Sequence, residues 1–115
     1  MARRWLIGVV LFGLLAAPAY ARRRPHDLER GAIAERMGVP PQCAVIWIST
    51  VNRQWASFQS SPKSSCVKWA SNGVTVLHRK DARWHQAFAG SDIPCPVPHV
   101  PRAVARDLKV GCPPR

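Results

Sequence analysis

The chain is poor in acid. Six Asp and Glu stand against seventeen Lys and Arg, and the six are scattered: Asp27, Glu29 and Glu35 near the amino end, then Asp81, Asp92 and Asp107 singly. Acid–base catalysis needs groups that converge on a reacting atom, so this scatter argues against an active site built on paired carboxylates. There is no G-x-S-x-G elbow, no glycine-rich phosphate loop and no H-E-x-x-H. No internal repeat is present, and low complexity is confined to the serine-rich stretch Ser60 to Ser65 and the proline-rich segment Pro94 to Pro98. On these absences the chain is not expected to be an enzyme. No catalytic residue, metal site or cofactor is assigned.

Long apolar runs are also missing, with one short exception at the amino end. Trp5 to Ala17 carries no charge or strongly polar side chain and follows Arg3 and Arg4. A bilayer span needs roughly 20 apolar residues, which this run does not reach. A basic start, a short apolar run, Pro18 and the small-residue site Ala19-Tyr20-Ala21 are together the pattern of a cleavable secretory signal peptide. Residues 1–21 are expected to be removed, with cleavage after Ala21 and Ala17-Pro18-Ala19 as the second site. No cysteine stands at that point to carry a lipid. The mature chain is then secreted or extracytoplasmic, with no stable membrane span. It keeps fifteen basic and six acidic residues, a net charge of +9 where the whole chain has +11.

The 94 residues that remain suffice for one domain with a thin core, a size at which covalent staples help. Cys43, Cys66, Cys95 and Cys112 all lie in this part. Successive cysteines are separated by 22, 28 and 16 residues and form no C-x-x-C knuckle, which argues for two disulfides in an oxidising compartment rather than a zinc site. Three pairings are open to four cysteines.

The pattern along the chain predicts an α+β fold. Arg22-Arg23-Arg24-Pro25 reads as a short, mobile basic arm. A helix follows to about Met37, with Asp27 as its N-cap, Leu28, Ala32, Ile33 and Met37 on one face and Gly38 at its end. Cys43 to Val51 and Gln54 to Gln59 read as a hairpin around Asn52-Arg53. Cys66 to Ala70 is a further strand candidate. Val74 to Arg79 and Ala82 to Ala89 form a second hairpin, entered through the turn signal Ser71-Asn72-Gly73. In its register Thr75, Leu77, Trp84, Gln86 and Phe88 share the core face, and Val74, Val76, His78, Arg83 and His85 share the other. Pro101 opens a short helix with Val100, Val104 and Leu108 on one side, ended by Gly111. The expected architecture is an antiparallel meander of four or five strands, with an N-terminal helix and a short C-terminal helix packed on one face. The units are the signal peptide 1–21, the arm and helix 22–42 and the sheet with its C-terminal helix 43–115, the last two forming one domain. Cys95 and Cys112 bracket the last helix and Cys43 and Cys66 bracket the first hairpin, so those are the expected pairs.

Three groupings bear on function. His78 and His85 face each other across a hairpin, but two imidazoles without a third ligand read as solvated rather than metal-binding. Trp47, Trp55, Trp69 and Trp84 are interleaved with Arg53, Lys68 and Arg83, the mixture a stacking surface uses; Trp47 and Trp84 are expected in the core, with Trp55 and Trp69 open to either role. Arg22, Arg23, Arg24, Lys68, Arg79, Lys80 and Arg83 are the candidate anion-binding residues.

Ser49-Thr50-Val51 with Trp55-Ala56, Asn72-Gly73-Val74-Thr75-Val76-Leu77, Arg83-Trp84, Gly90-Ser91-Asp92, and Cys95-Pro96-Val97-Pro98 through Asp107-Leu108 to Gly111-Cys112 resemble small exported proteins of high-GC bacteria. The likeness spans about Cys43 to Cys112. It implies export and a domain type; that group has no assigned activity, so no residue role follows from it. The expectation for function is a secreted, disulfide-stabilised binding or structural module whose partner is an anionic envelope polymer or an extracellular protein. An inhibitor of an extracellular hydrolase is the alternative.

Overall fold

The structure, a computed structural model, describes residues 21–111. The expected signal peptide and Cys112 lie outside the described residues, Ala21 excepted. Among the described residues no helix is long and apolar enough to cross a membrane.

Helix α1 (Asp27–Met37) starts one residue earlier than expected. His26 is its N-cap and Asp27 its first helical residue. Glu29 explains the shift, because its carboxylate reaches back to accept the His26 backbone N–H at 2.8 Å, the return half of a capping box. Gly38 ends the helix in the left-handed conformation, φ 72°. A 3-10 turn (Pro41–Cys43) then leads into the sheet, whose strands are β1 (Ala44–Ile48), β2 (Trp55–Ser60), β3 (Val74–Lys80) and β4 (Arg83–Gly90). All neighbours are antiparallel in the order β1-β2-β3-β4, so the meander is confirmed with four strands. The fifth candidate, around Cys66 to Ala70, belongs instead to a 3-10 helix (Ser64–Trp69). Its serines are exposed and Cys66 is drawn inward to bond Cys43, with a Cα separation of 5.5 Å. Helix α2 (Arg102–Leu108) has Pro101 as N-cap and closes on Lys109, φ 60°, rather than at Gly111.

The helices lie on opposite faces of the sheet, not on one. Side chains alternate along a strand, and the alternation divides two cores. Ile33 and Ala34 of α1 pack with Ala44, Ile46, Ile48, Ala56, Phe58, Leu77 and Trp84, with Met37 at the margin. The expected stripe is turned, since Leu28, 89% exposed, and Ala32 face outward while the face through Ile33, Ala34 and Met37 meets the sheet. Val104, Ala105 and Leu108 of α2 pack with Val97, Val100, Val110, Trp55, Val74 and Val76, and Trp47 and Phe88 join at the margin. Strict alternation would put Phe88 beside Leu77 and Trp84. It moves to the other face because Val76 pairs with Phe88 while Leu77 pairs with Gln86, leaving Ala87 as a bulge. One extra residue reverses the side of everything beyond it. The sheet is therefore apolar on both faces, which is why β3 opens with four consecutive buried residues.

The Cys43–Cys66 disulfide ties the start of β1 to the 3-10 helix. No described cysteine is free. The second expected bridge, Cys95–Cys112, involves a residue outside those described.

Candidate functional site

Three connections meet where β1 ends, β2 begins and β3 turns into β4. The first is the 49–54 loop. Ser49 Oγ accepts the N–H groups of Val51 at 3.2 Å and Asn52 at 3.1 Å, a local turn that competes with the ladder and stops β1 at Ile48. Asp107 of α2 holds this loop from the side. Its Oδ2 accepts the Ser49 hydroxyl at 2.9 Å and the Thr50 N–H at 2.7 Å, with the Thr50 hydroxyl at 3.3 Å from both oxygens. Asp107 is buried at 7% exposure, and these donors supply what water would otherwise give its charge.

The second connection is the amino-terminal arm, which is ordered rather than mobile. Arg23 and Ile48 exchange backbone hydrogen bonds of 2.9 and 2.8 Å, so the arm covers part of the open edge of β1. Alternation then sends Arg22 and Arg24 to one side and Arg23 to the other. Both outer guanidinium groups lie over the Trp47 ring, 4.0 and 4.1 Å from its centroid. Arg22 also donates to the Leu108 carbonyl at 3.2 Å. Arg23 forms a two-pronged pair with Glu29, both contacts 2.9 Å. The hydrogen bond from Arg23 holds the Glu29 carboxyl below the ordinary carboxylate range, and that same bond raises Arg23.

The third is the tight turn at Asp81 and Ala82, both with positive φ, 54° and 65°. It places Lys80 directly opposite Arg83 and His78 directly opposite His85. These four share the face that carries Trp55, whose ring stacks on His78 with centroids 4.1 Å apart and 9° between planes. Arg79 lies on the other face, and its N–H donates to the Gln54 carbonyl, which brings the β1–β2 loop and Arg53 alongside. Arg53, Arg79, Lys80, Arg83 and His85 are all exposed.

Six of the seven candidate anion-binding residues, Arg22, Arg23, Arg24, Arg79, Lys80 and Arg83, thus lie at one end of the sheet, a basic pole. Acids there are few. Glu29 is paired, Asp107 is saturated, Asp81 occupies the turn, and Glu35 sits across a shallow hollow from Arg83. Lys68 is not part of the pole. It belongs to the 3-10 helix, whose Trp69 carbonyl accepts from Ser60 at the far end of β2, about 17 Å away at strand rise; there its ammonium lies 5.4 Å from the Trp69 ring. Of the tryptophans, Trp55 and Trp84 are core residues, while Trp47 and Trp69 are half-buried.

Sequence reasoning missed Arg106 and Lys109. With Arg22, Trp47, Val51, Ala103 and Asp107 they line a hollow of about 610 Å³ between the arm and α2. The stripe of Val100, Val104 and Leu108 carried the missing signal, since burying it turns Arg106 and Lys109 outward beside the arm.

No family model, curated protein or solved structure matches this chain.

Proposed function

We propose that the mature domain is an extracytoplasmic binding module that engages an anionic polymer of the cell envelope through the basic pole. The observation that carries this reading is the pairing of Lys80 with Arg83. Like charges directly opposite each other weaken a sheet. A fold with no anionic partner would be more stable with one of them replaced. The Cys43–Cys66 bond supports an oxidising compartment, in keeping with export.

Charge reversal at the two ends of the sheet tests it. Arg79→Glu, Lys80→Glu and Arg83→Glu combined should abolish binding to anionic polymer extracted from the producing cell's envelope, while Lys63→Glu with Lys68→Glu should leave most of it. Equal loss in both would mean that the charge acts diffusely and that the pole is not a site.

One observation favours the inhibitor reading. Pro94, Cys95, Pro96, Pro98 and His99 are exposed while Val97 among them is anchored in the core, a fixed loop of the kind that could enter a hydrolase cleft with little ordering cost. Capture of a hydrolase by the pole triple variant, with no polymer bound by the unaltered protein, would put that reading first.

A further inference from the structure

The hollow between the arm and α2 differs in chemistry from the rest of the pole. Its apolar wall is Trp47, Val51 and Ala103, its cations are Arg22, Arg106 and Lys109, and its one acid, Asp107, is already engaged by the 49–51 loop. A volume of about 610 Å³ is that of a small-ligand site, ample for a chain of several carbons with a charged head. Polymer binding by spread charge needs no such wall. Cleavage after Ala21, itself part of the lining, would open the hollow on that side and leave the α-ammonium of Arg22 at its rim, a further positive charge beside the walls formed by Trp47, Val51 and Ala103. Arginine forks match phosphate oxygens in pairs, and clustered cations favour a dianion over a monoanion.

We propose that this hollow is a binding site for a phosphate monoester carrying an apolar chain. Its head is held by Arg106 and Lys109, with Arg22 alongside, stacked on Trp47 and donating to the Leu108 carbonyl. Its chain lies on Val51, Ala103 and the part of Trp47 that the Arg22 and Arg24 guanidinium groups leave open. Such a ligand is a lipid-type phosphate rather than a repeat of a polymer, so the site goes beyond the polymer reading and stands without it.

Decyl phosphate below its micellar concentration is the probe, titrated calorimetrically into the exported protein as its cell releases it. One molecule should bind, at least about tenfold more tightly than inorganic phosphate and than the neutral decyl maltoside. Ala103→Trp fills the hollow from an exposed position on α2 and removes no charge. It should weaken decyl phosphate by about tenfold or more and leave envelope-polymer binding as it was. Arg106→Gln with Lys109→Gln, two exposed side chains, should weaken decyl phosphate similarly and supplies the answer if Ala103→Trp does not fold. Absence of binding, equal affinity for decyl maltoside or inorganic phosphate, or unchanged affinity in the folded variants would overturn the proposal.

Discussion

Replacing Lys80 by Glu should make the protein more stable and bind worse. Lys80 stands directly opposite Arg83 on the arms of a two-residue turn. Both side chains are exposed, and neither forms a salt bridge among the described residues. Opposed like charges weaken a hairpin and opposed unlike charges support it, each by about 0.2–1 kcal/mol. Reversing one partner should therefore gain about 0.5–1 kcal/mol, with solvent screening keeping the figure at the low end. For a domain of this size that is a rise in Tm of about 3–6 °C. Asp81 sets a limit, since a new acid beside it repels it weakly. The assay is a pair of urea titrations at low and high salt, with polymer affinity measured on the same preparations. The gain should shrink as salt rises. A Lys80→Glu protein that is less stable than the parent at low salt would refute the idea that the pole carries a charge conflict.

Removing the Asp107 carboxylate as Asp107→Ala leaves the Ser49 hydroxyl and the Thr50 N–H without their acceptor; the expected loss is about 3 kcal/mol in urea unfolding, and a loss below about 1 kcal/mol would mean that solvent replaces it freely. The Glu29 carboxyl is held low by Arg23, so its contribution is complete above the ordinary carboxyl range near pH 4.3 and disappears as pH falls through its lower folded value. Discounted for partial exposure, that contribution is about 0.5–1 kcal/mol, and Glu29→Gln should remove the corresponding part of the acid limb in thermal melts between pH 6 and 3. Replacing Cys43 and Cys66 by alanine opens a loop of sequence separation 23 and should cost about 3 kcal/mol, read as a shift of the urea midpoint against the parent under oxidising conditions.

Much of the fold follows from local pattern. The alternation in β1 to β4, the Cys43–Cys66 pair and the His78–His85 register all depend on residues close in sequence, where periodicity and turn chemistry decide. The α1 stripe does not follow, because Leu28 and Ala32 are exposed and Ala34 is buried in their place. The departures have long-range or single-residue causes. Arg22 to Arg24 form a basic run, and nothing in their own sequence shows that Ile48 offers an open edge or that Trp47 presents a ring to them. The bulge at Ala87 reverses Phe88 without a glycine or proline to announce it. The helices could be assigned to one face because each has one apolar stripe; the second face shows only in the four-residue buried run that opens β3. The pole was half legible. Arg22 to Arg24, Arg79, Lys80 and Arg83 are candidates on sequence, but Arg53, Arg106 and Lys109 are not, and their assembly depends on where the arm, the 49–54 loop and α2 meet the sheet.

The most direct test of the basic pole is the salt dependence of affinity for anionic polymer from the producing cell's envelope. About four charges neutralised together, from Arg53, Arg79, Lys80 and Arg83, give a slope of about −3 to −4 in log affinity against log salt, so affinity should fall by about a hundredfold between 50 and 200 mM. The Arg79, Lys80, Arg83 triple variant should show a much shallower line. A slope near zero for the unaltered protein, or the same slope in both, would contradict the account.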